Sequence, residues 1–208
     1  MSINPYQTVI LFEEALAEYC GSKYAVCVES CTSALFLSLM WRKNSGWTFE
    51  TVRIPARTYP GVACSIIHAG YKVKFDQVDW SGEYELKDTG IWDSALRFKK
   101  GMHCGFVKGI QCISFHIKKL IPIGRGGAIL TNDFEAVKWL RKARFDGRDP
   151  MPLQEDNFTM LGYNMYMQPD QASRGLQLLQ ALGDRELEDL KVEDQKYPDL
   201  SKFKIYTQ

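Results

Sequence analysis

The sequence lacks an excess of charge. Its 26 Lys plus Arg stand against 25 Asp plus Glu, a formal net charge of +1 over 208 residues, so no global field marks nucleic acid as a partner. Paired cysteines are missing too. The six cysteines, at positions 20, 27, 31, 64, 104 and 112, form no CxxC pair and no spacing typical of zinc or an extracellular disulfide framework. A reduced compartment is the simpler expectation, the cytoplasm, or the host cytoplasm for a viral chain. No long uncharged apolar run occurs. The opening "MSINPYQTVILFEEALAEYC" carries acids inside its apolar stretch, so it reads as neither a secretory signal nor a membrane span, and no membrane partner is expected. Internal repeats and low-complexity linkers are likewise absent.

What is present suffices for a core. At 45% hydrophobic residues, the simplest organisation is one compact domain over 1–183, with a charged extension, 184–208, docked through residues such as Leu187, Leu190, Leu200 and Phe203. Val9, Phe12, Leu16 and Tyr19 recur at helical spacing before Gly21, and "YAVCV" follows as a buried strand. "ESCTSALFLSLM" reads as a turn opening a helix, "TVRIPA" as a strand, Tyr59 to Ala69 as a helix, "KVKFD" and "GIWDS" as strands, and Cys104 to Leu130 as three more short strands. Helical spacing returns over 134–143 and 169–182. The alternation predicts an α/β layer with a largely parallel sheet. Arg141, Lys142, Arg144 and Arg148 read as a solvated basic face.

The stretch "ISFHIKKLIPIGRGGAIL", residues 113–130, sets two adjacent lysines between a strand and a glycine-rich turn. Two neighbouring lysines are ordinarily a solvated pair. Held at a strand end, however, one of them is open to desolvation, which lowers an amine's pKa and makes it competent to form a Schiff base. Three other islands, "ESCTSAL", "PARTY" and "IWDSAL", can meet it at the strand ends of an open α/β sheet. Together they supply the parts that hold pyridoxal phosphate (PLP). The cup at Cys31 and Thr32, with the hydroxyls of Thr32 and Ser114, would bind phosphate; Tyr59 would stack on the ring; Asp93 would pair with the pyridine nitrogen and keep it protonated.

Taken in order, the islands resemble the large domain of the DegT/DnrJ/EryC1/StrS family of PLP-dependent sugar aminotransferases. "GSKYAVCVESCTSAL" is similar to the family's G-x-K-Y-A-V-x-V-x-S-G-T-x-A-L, Pro55 to Tyr59 to its P-x-x-T-Y/F, and Trp92 to Ala95 to its E-D-x-A. Ser114 to Lys119 is similar to S-F-H-x-x-K, Gly124 to Gly127 to G-E-G-G, and "GYNMYM" to G-x-N-x-R-M. The resemblance implies the large-domain layer of the type I PLP-dependent transferases, with Lys119 as the Schiff-base lysine beside Lys118. It also implies a homodimer with composite active sites, in which Asn164 reaches the neighbouring subunit's cofactor.

The departures bear on the reaction. Against the family pattern, the region between "KVKFDQVD" and Asp93 is shortened and the small C-terminal domain is almost absent. Leu96 replaces a Gln or His that touches the cofactor, Cys31 a Gly, Arg125 a Glu and Tyr166 an Arg. The resemblance favours transamination between a small-molecule amino donor and a carbonyl acceptor such as a keto sugar. Lys119 would shuttle the proton and Asp93 would maintain the pyridinium. Two other readings stand beside it: a PLP-dependent decarboxylase or lyase acting on an amino-acyl group, with a nucleic-acid-linked substrate such as a modified phage nucleobase in DNA, and a non-catalytic protein that keeps the fold.

Overall fold

The computed structural model describes residues 4–207; the first three residues of the N-terminal stretch read above, and the last of the tail, lie outside the described residues. The chain runs through α1 (Gln7–Cys20), β1 (Tyr24–Val28), α2 (Cys31–Asn44), β2 (Thr51–Pro55), α3 (Pro60–His68), β3 (Lys72–Asp76) and β4 (Tyr84–Leu86). It continues through β5 (Ile91–Asp93), β6 (Ile110–Ser114), β7 (Gly127–Thr131), α4 (Phe134–Ala143), α5 (Pro169–Leu182) and the short α6 (Val192–Gln195). Local chemistry sets the helix starts. Pro60 opens α3, where its missing N–H costs nothing. The Asp133 carboxylate accepts the N–H groups of Glu135 and Ala136 at 2.9 and 3.2 Å and caps α4.

Strand alternation divides the interior into two cores. Val26 and Val28 of β1 face one side, with Leu37 of α2, Ile66 of α3 and Leu140 of α4. Ala25 and Cys27 face the other, with Phe12 of α1 and Leu179 of α5. The result is a three-layer α/β fold whose central strands are buried on both faces. Where α5 crosses α1 the helices come close: a Cβ on Gly175 would lie 2.4 Å from the buried Phe12 ring, which would have to move to admit any larger residue.

The sheet corrects one expectation. It runs β1-β7-β6-β5-β4, with β2-β3 as a separate pair that touches β4 through an isolated Arg53–Lys87 bridge. Only the β2–β3 and β5–β6 ladders are parallel; β1–β7, β6–β7 and β4–β5 are antiparallel. The reason lies in the connections. β4 returns to β5 by a tight turn, and β6 returns to β7 with no helix between them, so neither link can make the crossover that a parallel pair needs. The three strands expected within 104–130 are two, because residues 115–126 form the turn that carries the lysines.

The basic run is not a solvated face. Arg144 reaches across to the buried Glu13 and forms an ion pair with its Oε1, and Arg141 Nη2 lies 3.0 Å from Oε2. The same carboxylate accepts the Cys27 N–H at 2.8 Å. Lys142 pairs with Asp149 at 2.7 Å. Arg141 and Arg144 thus tie α1, β1 and α4 together, whereas Lys142 and Arg148 pair with acids of the segment after α4.

Beyond Gly183 the chain comes back across the sheet. Asp189 pairs with Arg97 at 2.8 Å, Leu190 N–H donates to Leu96 O at 2.9 Å, and the buried Leu200 donates its N–H to Ala56 O at 2.8 Å. Among the described residues no helix is long and apolar enough to cross a membrane.

Candidate active site

β1, β5 and β6 run in the same direction, since β5 pairs parallel with β6, and β1 and β6 are both antiparallel to β7. Their C-terminal ends therefore open on one side, where the N-terminus of α2 also lies. A cavity of about 440 Å³ occupies this place, within the range of roughly 300–1,000 Å³ usual for small-molecule sites. Cys31, Thr32, Tyr59, Asp93, Ser114 and Lys119, far apart in sequence, all line it.

The α2 end is built by close approach. Ser30 caps the helix by accepting the Ser33 N–H at 3.0 Å, and among the described residues no hydrogen bond engages the N–H groups of Cys31 and Thr32. These are the free donors of a helix start, where the dipole favours an anion. β7 begins directly behind them: a Cβ on Gly127 would lie 2.5 Å from Cys31 N. On the facing side, the Thr32 hydroxyl and the Tyr59 ring converge on Gly61, whose added Cβ would lie 2.8 Å from Thr32 Oγ1 and 2.7 Å from Tyr59 Cε1. Tyr59 is otherwise 56% exposed, at the mouth.

Asp93 ends β5 and is buried. Oδ1 accepts the Ala95 N–H at 3.0 Å, Oδ2 accepts the Tyr84 hydroxyl at 3.1 Å, and the Cys31 thiol lies 3.9 Å from Oδ1. Burial raises the carboxyl pKa, opposed by the Ala95 and Tyr84 hydrogen bonds and by the Lys119 charge. Tyr84 has one proton to give. Because it goes to Asp93, the hydroxyl of Thr58, 2.7 Å from Tyr84 Oη, must be the donor in that contact.

Both lysines of the turn after β6 line the cavity, but they differ in burial. Lys118 is exposed, whereas Lys119 is half-buried, its N–H donating to His116 O at 2.8 Å. Burial lowers the Lys119 pKa, and the negative charge of Asp93 opposes that shift. The Cys31 thiol is held well above its usual range by burial, next by the Asp93 charge. Arg125 lines the mouth and pairs with Glu29 at 2.7 Å.

Three residues singled out in the sequence, Leu96, Asn164 and Tyr166, are not brought to the cavity, and Tyr166 packs edge-on against Tyr6 and Phe145 instead. Leu96 is fully buried elsewhere, and only its backbone is engaged, by Leu190. Asn164 is exposed outside the cavity and donates to Asp146 Oδ2 at 3.1 Å. Conversely, Trp80, Tyr84 and Tyr197 lie at or beside the cavity without having been anticipated. For Tyr84 a signal existed: "YEL" and "IWD" flank an acidic turn, and a hairpin reading would have set Tyr84 opposite Asp93, as the ladder does. Tyr197 carries no local signal.

A three-layer α/β fold with an anion cup, a carboxylate and a desolvated lysine around one cavity has the make-up of a PLP-binding transferase. The model of the DegT/DnrJ/EryC1/StrS aminotransferase family matches residues 2–85 and 97–192, and the chain belongs to that family. It is similar to the UDP-4-amino-4,6-dideoxy-N-acetyl-beta-L-altrosamine transaminase of Campylobacter jejuni (strain 81-176), at 26% identity over 82% of this chain and 56% of that protein. It is also similar to the GDP-perosamine synthase of Caulobacter vibrioides, at 27% identity over 83% and 56%. The chain thus spans little more than half the length of these curated relatives. Among solved structures, an aminotransferase of pseudoaminic acid biosynthesis from Helicobacter pylori superposes with a TM-score of 0.67 at 22% identity, covering 84% of this chain and 57% of the other. A sugar aminotransferase from Micromonospora echinospora gives 0.68 at 17% identity, covering 84% and 60%. Both share the fold.

Fold and family indicate PLP as the cofactor. The donor set fits it: unengaged helix-start amides and hydroxyls for a phosphate, a buried carboxylate for a ring nitrogen, and a desolvated amine for an aldehyde. The interval left unmatched by the family model, residues 86–96, includes Asp93, so the carboxylate's place at the site rests on geometry.

Proposed function

We propose that the chain is a PLP-dependent aminotransferase that moves an amino group from a small-molecule donor to a keto sugar or related carbonyl. The observation that carries this reading is the convergence on one cavity of Lys119, Asp93 and the free start of α2. PLP, when bound, supplies an electron sink conjugated to the reacting carbon. The chain does the rest. The Cys31 and Thr32 amides, with the Thr32 and Ser114 hydroxyls, hold the phosphate. Tyr59 covers the mouth side of the ring. Asp93 would accept the hydrogen bond of a protonated ring N–H, a charge partner that offsets the cost of burying the carboxylate. Lys119 would be the amine that holds the aldehyde group, and its lowered pKa suits it to take up and give back a proton at Nζ.

The finer architecture belongs to the same reading. The unmatched interval 86–96 and the tight β4–β5 turn support a shortened central region. Leu161, 95% exposed, and the exposed Leu153 and Phe158 lie on the segment leading to Asn164. They support a homodimer in which Asn164 completes the partner's site. The test is a donor and acceptor panel. Amino donors should convert the bound cofactor to its amine form, and the matching keto acceptor should restore it. Carbon dioxide release with the amine retained would assign a decarboxylase instead.

A further inference from the structure

The cavity has a wall that neither the strand ends nor α2 supplies. After α6 the backbone turns through Lys196 at φ +51, a left-handed conformation uncommon for a residue with a side chain. That turn brings Tyr197 to the cavity, which Gln195 to Pro198 line. The Tyr197 ring lies nearly parallel to Trp80, at 11° with centroids 6.4 Å apart, and Trp80 stands edge-on to Tyr84 at 4.6 Å. Trp80 is itself fixed, its indole N–H donating to Arg57 O at 2.9 Å. The aromatic row therefore ends on the residue that holds Asp93. Its outer member is anchored on both sides, upstream by Asp189 with Arg97 and Lys99, at 2.8 and 3.2 Å, and downstream by Leu200 on Ala56. Burial first, then the nearby Asp93 and Cys31, raises the Tyr197 phenol pKa, as expected of a ring turned inward. The family match stops at residue 192, so it assigns nothing to this segment.

We infer that Gln195–Pro198 forms a strap that walls the cofactor cavity in cis, and that Tyr197 is its positioning residue, packing against the bound cofactor and keeping water from Asp93. The inference rests on the PLP reading above. It requires that strap and cofactor occupy the cavity together, each stabilising the other.

Two measurements test it without turnover. In the first, wild-type chain with and without PLP is digested briefly with trypsin and the peptides are mass-mapped. Cleavage after the exposed Lys196 should slow several-fold with PLP bound, since a closed strap resists a protease. Faster cleavage with PLP would mean that the cofactor displaces the strap, and unchanged cleavage that the two are independent; either overturns the inference. In the second, PLP release into a scavenger is timed. Tyr197→Ala should release on the order of tenfold faster than wild type, as most affinity changes lie in the off-rate, whereas Tyr197→Phe, which keeps the ring, should match wild type. Equal release by Tyr197→Ala and wild type would contradict the assignment. Should the Ala variant not fold, the wild-type digestion still decides. A wild-type chain that takes up no PLP overturns the reading of the site itself, a result distinct from PLP uptake with an indifferent strap.

Discussion

Tyr84 and Asp93 are ladder partners across the β4–β5 hairpin, and the phenol hydroxyl lies 3.1 Å from the carboxylate. The hairpin thus sets the orientation of the acid proposed to pair with the cofactor ring. Tyr84→Phe removes a donor that holds the Asp93 pKa down. That pKa should rise further, the acidic limb of the kcat/KM profile should move to higher pH, and the apoprotein should lose about 1–3 kcal/mol, because the buried Asp93 Oδ2 is left without its donor. An unmoved limb would remove Tyr84 from the account.

Asp93→Asn should separate stability from activity. Burial raises the carboxyl's pKa in the folded apoprotein above its unfolded value, so the folded state binds the proton more tightly and wild-type stability falls as pH rises from the ordinary carboxylate value, about 3.9, to the raised folded value. The Asn variant has no such loss. Its melting temperature relative to wild type should climb through that window, with activity lost. A pH-independent difference would argue against an uncompensated buried acid.

Gly127→Ala tests the anion cup through packing. The new methyl would meet Cys31 N and Ser30 C at 2.5 Å, and backbone cannot step aside as a flexible side chain can. Overpacking of this kind costs about 1–3 kcal/mol, and the displaced α2 start should also weaken PLP binding. Denaturant unfolding and a PLP titration, run together, check both.

Glu13→Ala should destabilise by about 3–5 kcal/mol in urea unfolding, because it leaves Arg144 partly buried without its partner. The cofactor spectrum of the surviving folded fraction should be normal, since Glu13 does not line the cavity.

Element positions are largely legible in the sequence, because "YAVCV" and "GAILT" are mostly apolar and their strands are covered on both faces. Ladder direction is not. It depends on whether a link such as 115–126 crosses over or turns back, and composition is silent on that. Cys31, Thr32, Tyr59, Asp93, Ser114 and Lys119 are each recognisable as chemistry-bearing residues at element ends, and the fold brings them to one cavity. The choice of Lys119 over Lys118 comes from the resemblance to S-F-H-x-x-K alone; by residue chemistry adjacent lysines look alike until the turn exposes one and half-buries the other. The basic run at 141–148 misleads because its partner Glu13 sits in α1, distant in sequence. Tyr197 escapes for the same reason, its setting being made by Trp80 and the returning tail.

The most direct test of the central claim is borohydride reduction of the PLP-loaded chain followed by peptide mass mapping. A single pyridoxyl adduct is expected on Lys119, absent from Lys119→Ala and unchanged in Lys118→Ala. An adduct on Lys118 alone, or no adduct in the presence of excess PLP, would contradict it.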